Sequence, residues 1–136
     1  MTTKAKKDYI YAVGRRRSSS ARVRLYKGDG QTMVNDQPIG QYFSGVINRA
    51  KWMKPFEISQ LTGKHYATIK VIGGGNIGQL GAVVLGIART IEKLNSEKYR
   101  SPLKKAGLLT RDDRTRERRK VGMGGKARRK KQSPKR

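Results

Sequence analysis

The chain contains no cysteine, which excludes disulfides and thiolate metal sites. Its one histidine, His65, leaves a His-based metal cluster or a Ser-His-Asp triad short of parts. Acids are scarce, with nine Asp and Glu against 33 Lys and Arg. Asp112 and Asp113 stand side by side, but inside Arg111-Asp112-Asp113-Arg114. Pairing with the flanking arginines to fix a turn is a simpler role for them than acid–base work. Ser18-Ser19-Ser20 has no neighbouring base to activate a hydroxyl and reads better as hydroxyls and amides near phosphate. No apolar run approaches the roughly 18 residues that cross a bilayer. The opening Met1-Thr2-Thr3-Lys4-Ala5-Lys6-Lys7 lacks a signal-type apolar region and is too short for an ordinary transit peptide. The expectation is a non-enzymatic intracellular protein with no cofactor, no small-molecule substrate and no membrane partner.

What the chain has instead is positive charge. The formal net charge is +24 and the pI about 11.1, so the protein should repel itself and seek an acidic partner. Residues 111–136 hold thirteen Lys or Arg against three acids, with almost no apolar residue. Such a segment cannot bury enough surface to offset its ordering entropy, so an extended tail is expected. A polyanion neutralises charge over that length, and phosphate backbones do so with release of counterions. Residues 1–110 are also basic, with 20 cationic and 6 acidic side chains. A basic tail on a basic domain points to a protein embedded in nucleic acid. The chain thus divides into a basic arm over residues 1–8, a domain over 9–110 and the tail over 111–136.

Within the domain, Tyr9 to Val13 is β-rich, and Gly14 with the Arg15 to Ser20 stretch should interrupt it. Ala21 to Tyr26 alternates, placing Ala21, Val23 and Leu25 on one face and Arg22 and Arg24 on the other. Turns at Gly28-Asp29-Gly30 and Asn35-Asp36 flank a short strand at Thr32 to Val34, which reads as an antiparallel meander. Residues 39–61 read as short helical turns, with Pro55 at a helix start and Phe56, Ile58 and Leu61 packing inward. His65 to Ile72 is a further strand ending at Gly73-Gly74-Gly75. Ile77, Leu80, Val84, Ile87, Ile91 and Leu94 then recur at helical spacing. Ser96 to Pro102 is polar and turn-like, and a second helix runs from Pro102 to Ala106 with Gly107 as its left-handed cap. A sheet of three to four strands with two main helices makes a two-layer α+β domain.

Gly73-x-Gly75-x-x-Gly78 lies between strand and helix and literally fits the dinucleotide fingerprint. The reading fails, because no further strand ending in an acid follows about 20 residues on. A phosphate-binding NTPase loop fails too, since Gln79 stands where Lys is required. Two compatible roles remain: amides at a helix N-terminus that bind an RNA phosphate, or close helix–sheet packing. Of the aromatics, Tyr9, Tyr11 and Tyr42 are candidates for stacking on bases. A nucleoid or general RNA-chaperone protein would share the charge but would not need a glycine-interrupted helix docked on a sheet. Small-molecule kinases share only the fold class.

Three blocks together resemble a known family, the bacterial-type ninth protein of the small ribosomal subunit. They are Gly14-Arg15-Arg16-Arg17-Ser18-Ser19-Ser20-Ala21-Arg22-Val23, then Gly73 to Ala82 with Gly86-Ile87-Ala88-Arg89, then Leu103 to Arg114 running on to Glu117-Arg118-Arg119-Lys120. The resemblance covers residues 8–136. It implies a left-handed βαβ domain like the second domain of small-subunit protein five, seated in the rRNA of the subunit head among neighbouring head proteins. It also implies a cytoplasmic bacterial ribosome or an organellar one, and a C-terminal tail that reaches the peptidyl-site tRNA. The rRNA-binding residues expected are Arg15, Arg16, Arg17, Ser18, Arg22, Arg24, Gly73, Gly74, Gly75 and Gln79 in the domain. In the tail they are Arg111, Arg114, Arg118, Arg119, Lys120, Lys126, Arg128 and Arg129. Lys135 and Arg136 are expected to contact tRNA. The chain departs from the family in having Arg17 for its usual Lys, Gly124-Gly125, and Ser133-Pro134 where Phe then Ser are common.

Overall fold

A computed structural model describes residues 9–115, 117 and 118. Five strands and four helices follow in the order β1 (Tyr9–Arg16), β2 (Ser19–Lys27), β3 (Met33–Val34), β4 (Gln37–Pro38), α1 (Ile39–Tyr42), α2 (Val46–Ser59), β5 (His65–Ile72), α3 (Asn76–Leu94) and α4 (Ser96–Lys105). They form an α+β domain with one mixed sheet in the order β1-β2-β5-β3-β4.

The short strands do not form the expected meander. β5 lies between β2 and β3, antiparallel to the first and parallel to the second. Length explains this: β2 and β5 pair along eight positions, from Ser20 with Ile72 to Lys27 with His65, whereas β3 offers only two residues. Ala21, Val23 and Leu25 from β2 meet Ala67, Ile69 and Val71 from β5 on one buried face. Asn35, at φ 49°, then locks β3 to the sheet, its side chain both accepting from Val71 N and donating to Val71 O at 3.0 Å.

Gly14 does not interrupt β1, which runs through it to Arg16. The glycine is where α3 presses on the sheet. A Cβ there would collide with the carbonyl of Ala82 and the amide of Gly86, and would lie 2.9 Å from Gly86 Cα. Helix α3 packs on β1, β2 and β5 and carries α2 and α4 on its other sides. Its burial is therefore wider than one stripe, and Ala82, Val83 and Ala88 join Leu80, Ile87 and Ile91 in the core. Ile77, expected inside, is 70% exposed in the first turn of α3.

Two prolines expected at helix starts lie within helices. Pro55 is buried in α2, which begins after Gly45 and closes at Gln60 in the left-handed region. Phe56 and Leu61 pack inward as expected, with Ile58 half-buried. Pro102 is inside α4, and the polar run before it is helical because Asn95 Oδ1 caps Lys98 N at 3.2 Å. Gly107, at φ 74°, ends α4 as expected. Its amide donates to Lys104 O and that of Leu108 to Leu103 O, a Schellman pair.

Candidate nucleic-acid interface

Among the described residues the helices cover one face of the sheet and leave the other open. Along β2, Arg22 and Arg24 alternate with the core residues and are exposed, as the sequence pattern requires. Register builds three rows on this open face: Tyr11–Arg24–Thr68, Val13–Arg22–Lys70 and Arg15–Ser20–Ile72. β1, β2 and β5 contain no acidic residue, so none of these strands offers a counter-charge to the cations on this face. Lys70 was not foreseen as part of it; its place in β5 shows in the alternation, but its neighbours follow only from the register. At the far end Tyr9, Tyr26 and Tyr66 form a row, with ring centroids 5.6 Å apart in the tilted Tyr9–Tyr26 pair and 5.3 Å in the stacked Tyr26–Tyr66 pair, and Arg24 sits 5.1 Å from the Tyr9 ring.

The β1–β2 turn brings Arg17 and Ser18 to the N-terminus of α3. Ser19 Oγ donates to Gly73 O at 3.0 Å, and a Cβ on Gly73 would meet Ser18 O at 2.5 Å. Gly73 and Gly74 both have positive φ, at 78° and 63°, so glycine is demanded at these two positions by backbone conformation as well as by space. Gly75, by contrast, is extended, and a Cβ there meets nothing within 4 Å. Arg17, Ser18 and Ser19 share one crevice with residues 74–78. Among the described residues no side chain caps α3, and its first turn has no acid, so none of them neutralises the positive end of the helix. Both roles weighed for the glycines are compatible with this arrangement.

Gln79 is committed inward. Its Nε2 donates to Gly73 O at 3.1 Å and its Oε1 accepts from Tyr42 Oη at 2.7 Å, while Asn35 Nδ2 reaches Tyr42 Oη at 3.4 Å. Gln79, Tyr42 and Asn35 therefore brace the glycine block, and Tyr42 rests edge-on against Phe43 at 4.8 Å, so its ring is structural. Asn35 was legible only as a turn residue, and nothing local marked Tyr42 as its partner. Gly74→Val would place a side chain on Ser19 Oγ at a positive φ. We expect it to impair incorporation into subunits more than it impairs folding, measured by co-sedimentation beside a thermal melt, because the block sits at the rim of the core.

Arg16 lies half-buried across α3, its aliphatic chain against Gly81 and its guanidinium 3.6 Å from Asp112. Asp112 also accepts from Arg114 Nε at 2.9 Å and Nη2 at 2.6 Å. The Arg114 hydrogen bonds hold the Asp112 carboxyl well below the usual carboxylate range and raise Arg114 in turn. Asp112 thus fixes the segment that leaves the domain, as the sequence suggested, but ties it to β1 as well. Arg15, Arg16, Lys51 and Lys54 line a cleft of about 280 Å³ beside Leu80 and Leu108. Lys51 and Lys54 were missed because α2 did not read as a continuous helix. Arg111, Arg114 and Arg118 are exposed. Arg119, Lys120, Lys126, Arg128, Arg129, Lys135 and Arg136, with the arm over residues 1–8, lie outside the described residues.

Burial lowers the pKa of His65 below its ordinary value, Lys27 and Lys64 add to the shift, and its Nδ1 is buried without a partner among the described residues. Among the described residues no group of His, Asp and Glu could hold a metal ion, and no helix is long and apolar enough to cross a membrane.

A family model described as ribosomal protein S9/S16 matches residues 14–136. The small ribosomal subunit protein uS9 of Dehalococcoides mccartyi is 45% identical over 118 residues, 87% of this chain and 89% of its own. That of Solidesulfovibrio magneticus is 44% identical over 118 residues, covering 87% and 90%. That of Tropheryma whipplei is 44% identical over 111 residues, covering 82% and 72%.

Proposed function

The chain belongs to the ribosomal protein S9/S16 family, a structural and non-enzymatic constituent of the small ribosomal subunit, and from that we propose how it is held there. Its domain binds rRNA of the subunit head through phosphates, its tail continues into the RNA, and Lys135 and Arg136 contact the peptidyl-site tRNA. Neighbouring head proteins complete its seat, in a bacterial or organellar ribosome. The β3–α2–β5 crossover, which joins parallel strands, is read as the left-handed βαβ unit of the small-subunit protein five kind.

One observation carries the rRNA reading: an open sheet face bearing Arg15, Arg22, Arg24 and Lys70 on three strands without an acid. Arg17 and Ser18 extend it around the turn to the uncapped end of α3, where amides and a guanidinium suit a phosphate. Charge of this density on a folded surface is a footprint for a polyanion. Combining Arg22→Ala with Arg24→Ala should weaken binding to small-subunit rRNA. It should also flatten the salt dependence, the log–log slope falling by about 0.7–0.9 per lost phosphate contact. Unchanged affinity and slope would mean that RNA lies elsewhere.

A further inference from the structure

We propose that Tyr11 stacks on an unpaired base, so that the open sheet face takes single-stranded or bulged RNA, not a continuous duplex. The proposal rests on the reading of this face as an rRNA surface. Four tyrosines stand on it, and three of them are already packed together, Tyr26 stacked on Tyr66 and tilted against Tyr9. Arg24, the cross-strand neighbour of Tyr11, leans instead toward the Tyr9 ring. Tyr11 is left 41% exposed on an edge strand, and among the described residues no ring or cation packs over it. Its main chain is firmly held, since Lys93 Nζ donates to Tyr11 O at 2.8 Å and Arg89 Nη1 to Val13 O at 2.8 Å. A rigid backbone therefore presents a bare aromatic ring amid cations.

The neighbours specify the occupant. Arg22 stands one diagonal step from Tyr11, about 7–8 Å away in an antiparallel pair. A nucleotide whose base covers the ring thus has its phosphate within reach of a guanidinium. Stacking is tolerant of base identity because every base has a π-face. In an A-form duplex the base faces are occupied by their neighbours, so a ring on a flat sheet finds only unpaired bases. A docked protein would have to cover exposed cations from three strands that carry no acid, which favours RNA.

The test uses the full chain and small-subunit rRNA over a salt series, with base-reactivity footprinting of the complexes. Tyr11→Ile and Tyr11→Thr keep a β-favouring side chain in place of the ring, and Tyr11→Phe keeps the ring without the hydroxyl. Both non-aromatic variants should lose about tenfold in affinity with an unchanged salt slope, the loss expected for one stacked base. Tyr11→Phe should bind as the parent does. Nucleotides that become reactive with the non-aromatic variants should be unpaired ones. Parent-like affinity of both non-aromatic variants overturns the proposal, as does an equal loss in Tyr11→Phe or exposure of duplex nucleotides only. Normal rRNA affinity with failure to enter subunits would give the face to a protein instead and also overturns it. The Arg22→Ala, Arg24→Ala variant separates the two readings. If it alone lowers affinity and slope, stacking fails and the phosphate surface stands; if it changes neither, the surface itself fails.

Discussion

Gly14→Ala should cost about 4 kcal/mol of stability, among the largest effects a single methyl group can have. The added Cβ would not meet a side chain that can swing away. It would meet the carbonyl of Ala82 and the amide and Cα of Gly86, all main-chain atoms of α3. To make room, α3 would have to lift from β1, and with it the contact of Gly86 against Val23 that places the helix on the sheet. Ala82, Val23, Ile87 and Ala88 are fully buried at this seam, so separation opens voids along its length. Domains of this size hold only about 5–15 kcal/mol in total, so the variant should sit near the edge of folding. Denaturant titration of parent and variant measures it. A loss below about 1 kcal/mol would mean that helix and strand can part freely. Gly63→Ala is the comparison, because a Cβ there meets nothing within 4 Å and only the positive φ of 76° opposes it.

Removing Pro134-Lys135-Arg136 should leave subunit assembly intact and weaken tRNA binding at the peptidyl site by about 1–3 kcal/mol, the range for charge-assisted hydrogen bonds. Reach and charge both favour this outcome. The 26 residues from Arg111 span up to roughly 85 Å if extended at about 3.3 Å per residue. The root of this segment is tied to the domain through Asp112 and Arg16 of β1. Dense cations over residues 116–131 suit passage along RNA, leaving Lys135 and Arg136 for the ligand beyond. Contacts to phosphates carry no sequence information, so all tRNAs should be affected alike, and reading-frame maintenance with them. The dissociation rate of tRNA from subunits carrying the shortened chain decides it. An unaltered rate, or a defect confined to one tRNA species, would sink the reading.

Local signals in the chain were sound wherever local physics sufficed. The alternation of Ala21, Val23 and Leu25 with Arg22 and Arg24 told which arginines face outward, because strand period 2 is a backbone property. The helix through Leu80, Ile87 and Ile91 was legible because its period of about 3.6 is likewise a backbone property, and so was the strand from His65 to Ile72. Helix boundaries were less so. Pro55 and Pro102 are good helix starters by propensity, yet each lies inside a helix that begins earlier, at Val46 and at Ser96. Packing against α3 and a cap at Asn95 outweigh that preference.

By itself the sequence determined that this protein is a polycation without catalytic parts, with a basic tail, an arginine face and a family identity written in three blocks. Charge and composition are summed over residues and need no fold to be read. Tertiary structure alone decided that β5 would part β2 from β3, that Gly14 would be a contact and not a break, and that Gln79 would brace the glycine block through Tyr42 and Asn35. It also decided that Arg16 would turn to Asp112. Each of these is a pairing between residues far apart in the chain. A glycine's missing side chain, or an amide's two hydrogen-bonding ends, carries no mark of which distant partner the closed core will bring to it.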